Sequence, residues 1–553
     1  MTSSWTAAWS TSARDFKAKS QMARRSLLED LANGTATTRR VIRDIVETCR
    51  ESAHWKDVGG SEIPASEAVL KALFPIRYYE DFLALLADEQ NAKGGILTSS
   101  PVLRWLKTSG TTGRSKAIPY TLHWLVNYRL PAMYAMWGTF LEHCPDILEH
   151  PFAVLDTQTV REDVSEYISG VSYQAISNRQ PRLISSDWSP PWYNAPWFVP
   201  ESAASHPERM YVRARSLINH RLRFISAINP STLISFRDSI CEFREQLVRE
   251  VHEGTLKGIN YECRNEVRAR ELEVILGNDQ FSLVDIWPSL RGYSCWTSAS
   301  ARLYNSKLQS ILPALRPLPF MSCGTEGVTT IPIDTNPHSQ PLALNQGWYE
   351  FIPAHVDLDD VVNRKGFDET IGYGALREGE QYHLIMSQAN GMMRLATGDI
   401  YTVNEIRDGV PWISFVRRAG VFHSFTGEKL TEAQVSDAIS IALERLGLNV
   451  GLYMCGPKWA EPPFYIIAIE LESTGSHVSA DLGLAIDRAL QEVSVEYSSK
   501  RVSGRLGQIE IIVVPHHQIT IYIEKQRTNK NSNQYKYKPF NNDIEFLDHL
   551  LAM

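Results

Sequence analysis

No apolar run in the 553-residue chain reaches the length that a transmembrane helix needs. Positive charge is not in excess either. The formal net charge is −7, which removes the electrostatic case for nucleic acid or an anionic membrane as partner. The 7 cysteines are scattered, with no Cys-x-x-Cys pair, so neither a zinc-ligand spacing nor a disulfide framework is expected. An odd count of this kind fits reduced thiols in the cytoplasm. The start, Met1-Thr-Ser-Ser-Trp-Thr-Ala-Ala-Trp9, lacks a basic stretch followed by an apolar core, so no secretory signal is expected. Long heptad repeats are missing, which allows a monomer. The P-loop pattern, a Gly, four residues and Gly-Lys-Ser/Thr, is absent. What remains is an ordinary globular composition, 43% hydrophobic and 22% charged, on a chain too long for one compact core. Two or more domains are expected.

The most informative stretch is Lys107-Thr-Ser-Gly-Thr-Thr-Gly-Arg-Ser-Lys116. It follows an apolar run, Pro101 to Leu106, that reads as a strand end. Small hydroxyl residues between two glycines make a loop that can wrap an anion. Glycine lets the backbone approach closely and turn its N–H groups inward. The hydroxyls add hydrogen bonds and Lys116 adds a positive charge. Phosphate is the anion this chemistry fits.

Helical spacing of apolar residues predicts helices over Arg14 to Leu31 and Thr38 to His54, broken at Asn33-Gly34. Another short helix is expected to start within Phe74 to Phe82. Residues 122–145 read as an aromatic helix, and its place after the loop makes Tyr128 and Arg129 candidates for a substrate pocket. Tyr173, within a strand-and-turn region, is a third candidate on position alone. Asn229-Pro-Ser231 reads as a helix start with Pro230 near the first turn. Phe281 to Trp296 reads as strand, turn, strand. Leu303 to Leu315 reads as a helix ended by Pro317-Leu-Pro319.

Two further patterns follow. In Phe320-Met-Ser-Cys-Gly-Thr-Glu-Gly-Val328 a carboxylate sits inside a glycine-flanked turn. Glu326 there could hold Mg²⁺, a hard cation that takes few carboxylates and leaves its other positions to phosphate and water. Met393 to Tyr401 reads as a strand that returns from a turn at Asn390-Gly391 and stops at Gly398-Asp399. An Asp at such a strand end can accept hydrogen bonds from both hydroxyls of a ribose. A further turn is expected at Asp408-Gly409, and near Arg418 the pattern changes. A helix over Thr431 to Leu446, with Thr431 and Gln434 as a capping box, opens a small α+β region. Its polar run Glu524 to Ser532 leads to Asn533-Gln-Tyr-Lys-Tyr-Lys-Pro539.

The Ser/Thr/Gly/Lys loop, Gly-Thr-Glu, Thr-Gly-Asp and a terminal Lys on a separate domain stand in the order found in adenylate-forming enzymes. The chain resembles more closely the Gretchen Hagen acyl-acid amido synthetases, which join plant hormones and related acids to amino acids. The likeness runs through Trp287-Pro288, Phe415-Val-Arg-Arg418, Glu428-Lys-Leu-Thr-Glu432 and Asn533-Gln-Tyr-Lys536, so it spans nearly the whole chain.

The resemblance implies an α/β fold. A large adenylate-forming domain (residues 1–418), with β-sheets flanked by helices, would bind ATP and the acid. A small mobile α+β domain (residues 419–553) would carry the catalytic lysine. It implies that Ser109, Gly110, Thr111, Thr112, Gly113 and Lys116 cradle the ATP phosphates, and that Thr325 and Glu326 sit beside the α-phosphate, Glu326 near Mg²⁺. Asp399 and Arg418 would hold the ribose, Lys429 would approach the nucleotide, and Lys536 would supply charge during adenylation. The implied reaction activates a small carboxylic acid as acyl-AMP and passes it to an amine, an amino acid in the family. Transfer to a thiol or alcohol, or a nucleotide-binding protein without turnover, are the other readings.

The chain departs from the family where an aromatic and a small residue usually precede Gly-Thr-Glu. Here they are Ser322 and Cys323, and the family's Gly beyond Trp287-Pro288 is Ser298. The resemblance therefore names no contact to the base. Tyr537 is an extra residue before Lys538-Pro539, so Lys536 and Lys538 both stand where the mobile lysine is expected, with Lys536 as the assignment.

Overall fold

The computed structural model describes residues 4–92, 94–107, 116–157, 159–160, 166–168, 171–175, 178–179, 188–192, 195, 197, 206–297, 305–418, 422–428, 430–448, 450–471, 478–515, 518–519, 521–522, 540–541 and 545–552. Contacts divide the chain into two compact units, the first spanning residues 1–108 and 117–419, the second residues 109–116 and 420–553. No described helix is long and apolar enough to cross a membrane.

The first unit begins with two helices, α1 (Trp9–Ala32) and α2 (Gly34–Cys49), separated at Asn33 as its sequence predicts. On α2, Val41, Ile42, Ile45 and Val46 recur at helical spacing and pack with Trp124 and Trp348 in one buried cluster. Strand β1 (Val102–Lys107) pairs antiparallel with β2 (Ala117–Thr121). The aromatic helix follows as a π-turn at Leu125–Arg129 running into α3 (Leu130–His143). A wider turn at this point lets neighbouring residues face different directions.

Next come the strands of a parallel sheet: β3 (Val154–Asp156), then β4 (Val171–Ala175), which instead joins β1 in parallel, then β5 (Phe224–Ser226). Helix α4 (Pro230–Glu242) has its proline in the first turn, where the missing N–H costs nothing. Strands β6 (Gly292–Cys295) and β7 (Pro317–Pro319) complete a four-stranded sheet in the order β7-β6-β5-β3, parallel throughout.

Two expectations change here. Before β6 the chain forms a helical turn at Leu283–Ile286 rather than a strand, because Ser282 and Asp285 cap it reciprocally. Pro317-Leu-Pro319 does not merely end a helix. It is itself the edge strand, the sheet position where a residue without an N–H is tolerated.

A six-stranded antiparallel sheet is built around β8 (Trp348–Pro353), β9 (Gln381–Ser387), β10 (Leu395–Arg407) and β11 (Val410–Arg418). The turns at Asn390-Gly391 and Asp408-Gly409 are as predicted, with Gly391, Asp408 and Gly409 at positive φ. Strand β10 does not stop at Asp399 but runs eight residues further, to Arg407. Gly398 takes φ 78° and the register shifts just beyond Asp399, so the apparent strand end is an irregularity within one long strand.

At the head of β10 lies a buried ion pair. Arg394 Nε and Nη2 each lie 3.0 Å from the Glu350 carboxylate on β8, and both side chains are essentially inaccessible. The remaining guanidinium N–H groups reach the carbonyls of Lys71, Phe74 and Phe367.

The second unit opens on the turn 425–428. There the buried Glu428 carboxylate accepts from the backbone N–H groups of Phe425 and Thr426, at 2.7 Å each, and from the Tyr465 hydroxyl. Helix α5 (Glu432–Leu446) starts with the predicted Thr431–Gln434 capping box. Strands β12 (Val450–Lys458) and β13 (Phe464–Leu471) pair antiparallel. Helix α6 (Val478–Val493) then leads to β14 (Glu510–Val514), parallel to β13. Met454, Ile466, Ala468, Phe546 and Leu550 form its core.

Replacing Arg394 with Met strips the buried Glu350 carboxylate of its bidentate partner and leaves it only Lys71, 3.8 Å away, and the Thr370 hydroxyl, so unfolding free energy should fall by about 3–5 kcal/mol in a denaturant titration. In the second unit, burial pushes the His423 imidazole down from 6.5 to about 4, against the pull of Glu428. The unfolded chain takes up that proton at higher pH than the folded chain. The contribution is therefore complete above pH 6.5 and is lost as pH falls toward 4. His423→Phe should flatten this part of the stability-against-pH curve, and an unchanged slope would exclude His423 as its source.

Candidate functional site

The Ser/Thr/Gly/Lys loop connects β1 to β2, whose register pairs Lys107 with Ala117. Ser109, Gly110, Thr111, Thr112 and Gly113 lie outside the described residues, while Lys116 is half-buried immediately before β2. The stem of this connection is clamped by a residue that no sequence pattern marks. The Tyr79 hydroxyl accepts from the Ala117 N–H at 2.7 Å and donates to the Ala117 carbonyl at 3.1 Å.

Gly324-Thr-Glu-Gly327 forms a tight hairpin between short strands at Ser322–Cys323 and Val328–Thr330, closed by a 2.9 Å hydrogen bond from Gly324 N–H to the Gly327 carbonyl. Thr325 and Glu326 are its tip. Thr325 is buried and Glu326 half-buried. At both glycines neighbouring side chains come close, and neither has the positive φ that would call for glycine. A Cβ on Gly324 would lie 2.5 Å from a Glu326 carboxylate oxygen, and one on Gly327 would lie 2.5 Å from the Met386 sulfur. The first keeps room for the carboxylate to fold back over its own turn, and the second lets the turn pack on β9. The hairpin follows β7 at the carboxyl end of the parallel sheet, the side on which open α/β sheets bind ligands.

Tyr128 and Arg129, adjacent in the π-turn, part ways. The Tyr128 hydroxyl donates to Asp44, whose carboxylate also lies 2.8 Å from His123 Nε2. Burial pushes that carboxyl up, but the hydrogen bonds from His123 and Tyr128 outweigh it and hold it below its ordinary value. Tyr128 is thereby part of the α2 packing cluster.

Arg129 is 5% exposed and donates from Nη1 to the Gly324 carbonyl at 3.3 Å, beside Cys323 and Tyr120. Burial opposes its charge, yet these neighbours outweigh it and the guanidinium is held above its ordinary value. Among the described residues it has no carboxylate partner. A desolvated cation in this position attracts an anion more strongly than a surface arginine does.

The hairpin is connected to Asp399 through two hydroxyls. Ser322 Oγ lies 2.8 Å from the Tyr401 hydroxyl, and Tyr401 stands two positions beyond Asp399 on β10. Burial pushes the Tyr401 phenol well up and the nearby Asp399 charge adds to the shift, so the two side chains are within electrostatic reach of each other. Asp399 is half-buried, and its backbone N–H donates to Thr397 Oγ1 at 3.1 Å. Arg418 is the strand partner of Asp399. Arg129, Thr325, Glu326 and Asp399 thus belong to one chain of contacts. Tyr173 pairs in register with Trp105 on β1 through β4. Lys429 and Lys536 lie outside the described residues. No group of three or more metal-ligating side chains occurs among the described residues.

This fold is that of solved acyl acid amido synthetases. The AtGH3.15 acyl acid amido synthetase in complex with 2,4-DB superposes with a TM-score of 0.61 at 17% identity, over 96% of each chain. A second structure, titled GH3.15 acyl acid amido synthetase, gives 0.60 over 95% of each. The sequence matches the GH3 family N-terminal domain over residues 23–317, the GH3 family central domain over 340–418 and the GH3 family C-terminal domain over 433–545. The chain belongs to the GH3 family. Among curated relatives, the indole-3-acetic acid-amido synthetase GH3.4 of Arabidopsis thaliana is 22% identical over 522 residues, 84% of this chain and 82% of the relative. The jasmonoyl–L-amino acid synthetase JAR6 of Nicotiana attenuata is 25% identical over 241 residues, 42% of this chain and 40% of its own.

Proposed function

We propose that this chain is an ATP-dependent ligase that converts a carboxylic acid to its acyl-AMP with release of pyrophosphate, then transfers the acyl group to an amine to give an amide and AMP. The observation that carries the reading is the GH3 match through all three family domains, in a family whose named relatives are amido synthetases.

The acid's carboxylate is the anion that the buried, carboxylate-free Arg129 lacks. Its place beside the Gly324 carbonyl would bring the acid to the Thr325-Glu326 tip. Lys116 and the loop Ser109 to Gly113 take the β- and γ-phosphates, and Thr325 the α-phosphate. Asp399 with Arg418 takes the ribose hydroxyls. Lys429 approaches the nucleotide, and Lys536 supplies positive charge during adenylation. The amine acceptor is an amino acid.

One carboxylate at the hairpin tip suits Mg²⁺, which uses one or two carboxylates and completes its octahedron with phosphate oxygens and water, so Glu326 is its ligand. When bound, the ion would neutralise phosphate charge. The protein's own contribution is orientation: a rigid hairpin tip, a fixed ribose acceptor and a buried cation hold carboxylate and α-phosphorus in line, and charge is neutralised as pyrophosphate departs.

The deciding experiment is pyrophosphate exchange into ATP with Mg²⁺ and a panel of aryl, indolyl and aliphatic acids, followed by amino acids and thiols as acceptors. Acid-dependent exchange and amide product are expected; ATP binding without exchange for any acid would overturn the ligase reading. Asp399→Ala should raise the adenylation barrier by about 1.5–3 kcal/mol, the worth of a charged hydrogen bond, and full activity would remove Asp399 from the site. Lys536→Ala should slow adenylation far more than amide formation from supplied acyl-AMP, and equal losses in both steps would exclude a role confined to the first.

A further inference from the structure

The Gly-Thr-Glu hairpin and the π-turn that bears Arg129 meet directly at one bond, from Arg129 to the Gly324 carbonyl at 3.3 Å. A single bond fixes a contact but not an angle. A second tie between the two elements runs through Gln388, the residue that follows β9 and opens the Asn390-Gly391 turn, its carbonyl accepting from the Gly391 N–H at 3.1 Å. Gln388 is 2% exposed. Its Oε1 accepts from the indole Nε1 of Trp124 at 2.9 Å. An indole nitrogen only donates, so this bond fixes which end of the amide is the oxygen. Trp124 is fully buried and caps the start of the π-turn, one i→i+5 turn before Arg129.

The other end of the amide faces the hairpin. A Cβ on Gly327 would lie 2.6 Å from Gln388 Nε2, and so would one on Gly347, just before β8. The amide nitrogen is thus wedged between the returning limb of the hairpin and the head of β8. It is closed to solvent, and no acceptor meets it at full hydrogen-bond geometry among the described residues. Tyr349 on β8 completes the wedge. Its hydroxyl donates to the carbonyl of Val328, the first residue of the hairpin's returning strand. Burial pushes that phenol far up and the Gln388 side chain acts against the shift, so amide and hydroxyl are within reach of each other. For packing alone a methionine of similar length would serve, without a buried N–H short of an acceptor.

These contacts close a ring. It runs from Arg129 to Gly324, across the turn to Gly327 and Val328, through Tyr349 and Gln388 to Trp124, and along one helical turn back to Arg129. Within a closed ring the guanidinium cannot shift against the Thr325-Glu326 tip unless a buried contact breaks. We infer, on the ligase reading above, that Gln388 is a positioning residue for adenylation: it holds Trp124 on one side and the Gly327 limb on the other, and so sets the spacing between the acid's carboxylate on Arg129 and the α-phosphate at Thr325. It acts through Arg129 and the hairpin, not by contact with substrate. Where a carboxylate oxygen must meet phosphorus in line, a misplacement of about 1 Å can cost about a hundredfold in rate.

The test is acid-dependent pyrophosphate exchange by the full chain, with acid and ATP varied separately and rates normalised to ATP-binding sites counted by calorimetry. Gln388→Met should lower kcat by about tenfold to a hundredfold while KM for ATP stays within about twofold. Trp124→Phe removes the same bond from its other end and should reproduce the loss. The double variant should lose no more than about twofold beyond the worse single one, because both substitutions break one tie. A kcat within about twofold of the unmodified protein in folded Gln388→Met would overturn the assignment, as would a loss confined to KM for ATP or losses that multiply in the double variant. Should Gln388→Met fail to fold, Trp124→Phe alone decides by the same criteria. No exchange with any acid by the unmodified protein would overturn the ligase reading and this inference together, whereas exchange that survives both substitutions would overturn this inference and leave the ligase standing.

Discussion

The Arg394–Glu350 pair is the constraint on which the first unit depends. Burying two charges is favourable only when they are closely paired, and here the guanidinium meets one carboxylate through Nε and Nη2 and three backbone carbonyls from distant segments through Nη1. That saturation ties residues 71–74, the loop at 367 and strand β8 to the start of β10. Lys71 adds a second cation 3.8 Å from Glu350, in keeping with a junction organised by that carboxylate. Because β10 begins at the next residue, the position of Asp399 along the sheet follows from this junction rather than from anything near Asp399 itself.

The site obeys the same economy of space and charge. Two glycines bracket Thr325-Glu326, one leaving room for the carboxylate and the other for β9. A buried arginine holds the outer carbonyl of that hairpin, and a serine–tyrosine hydroxyl pair links it to the strand bearing Asp399. Each contact uses neutral groups, so Arg129 remains a net positive charge in a desolvated setting. In such a setting an arginine attracts an anion far more strongly than it does at the surface.

Residue type alone disclosed the hairpin tip, because Gly-Thr-Glu-Gly has few uses other than a tight, carboxylate-bearing turn. It also disclosed the turns at Asn390-Gly391 and Asp408-Gly409 and the Thr431 cap, where local geometry dictates chemistry. It misjudged Pro317-Leu-Pro319, since proline ends helices but also tolerates sheet edges, and only the neighbouring strand decides between the two. It misjudged the length of β10, because Gly398 and Asp399 read as a terminus although a register shift absorbs them. Tyr128 and Arg129 looked equivalent by position. The π-turn sends one to Asp44 and the other to the hairpin, a division no spacing rule anticipates.

The amino-acid sequence by itself determined the family and the order of the motifs, because each depends on side-chain chemistry within a few residues. Tertiary structure alone decided that Tyr79 clamps the stem of the loop and that Arg129 is buried against Gly324. Those partners lie tens to hundreds of residues apart. Burial and hydrogen-bond pairing over such separations are settled by packing, which local sequence does not encode.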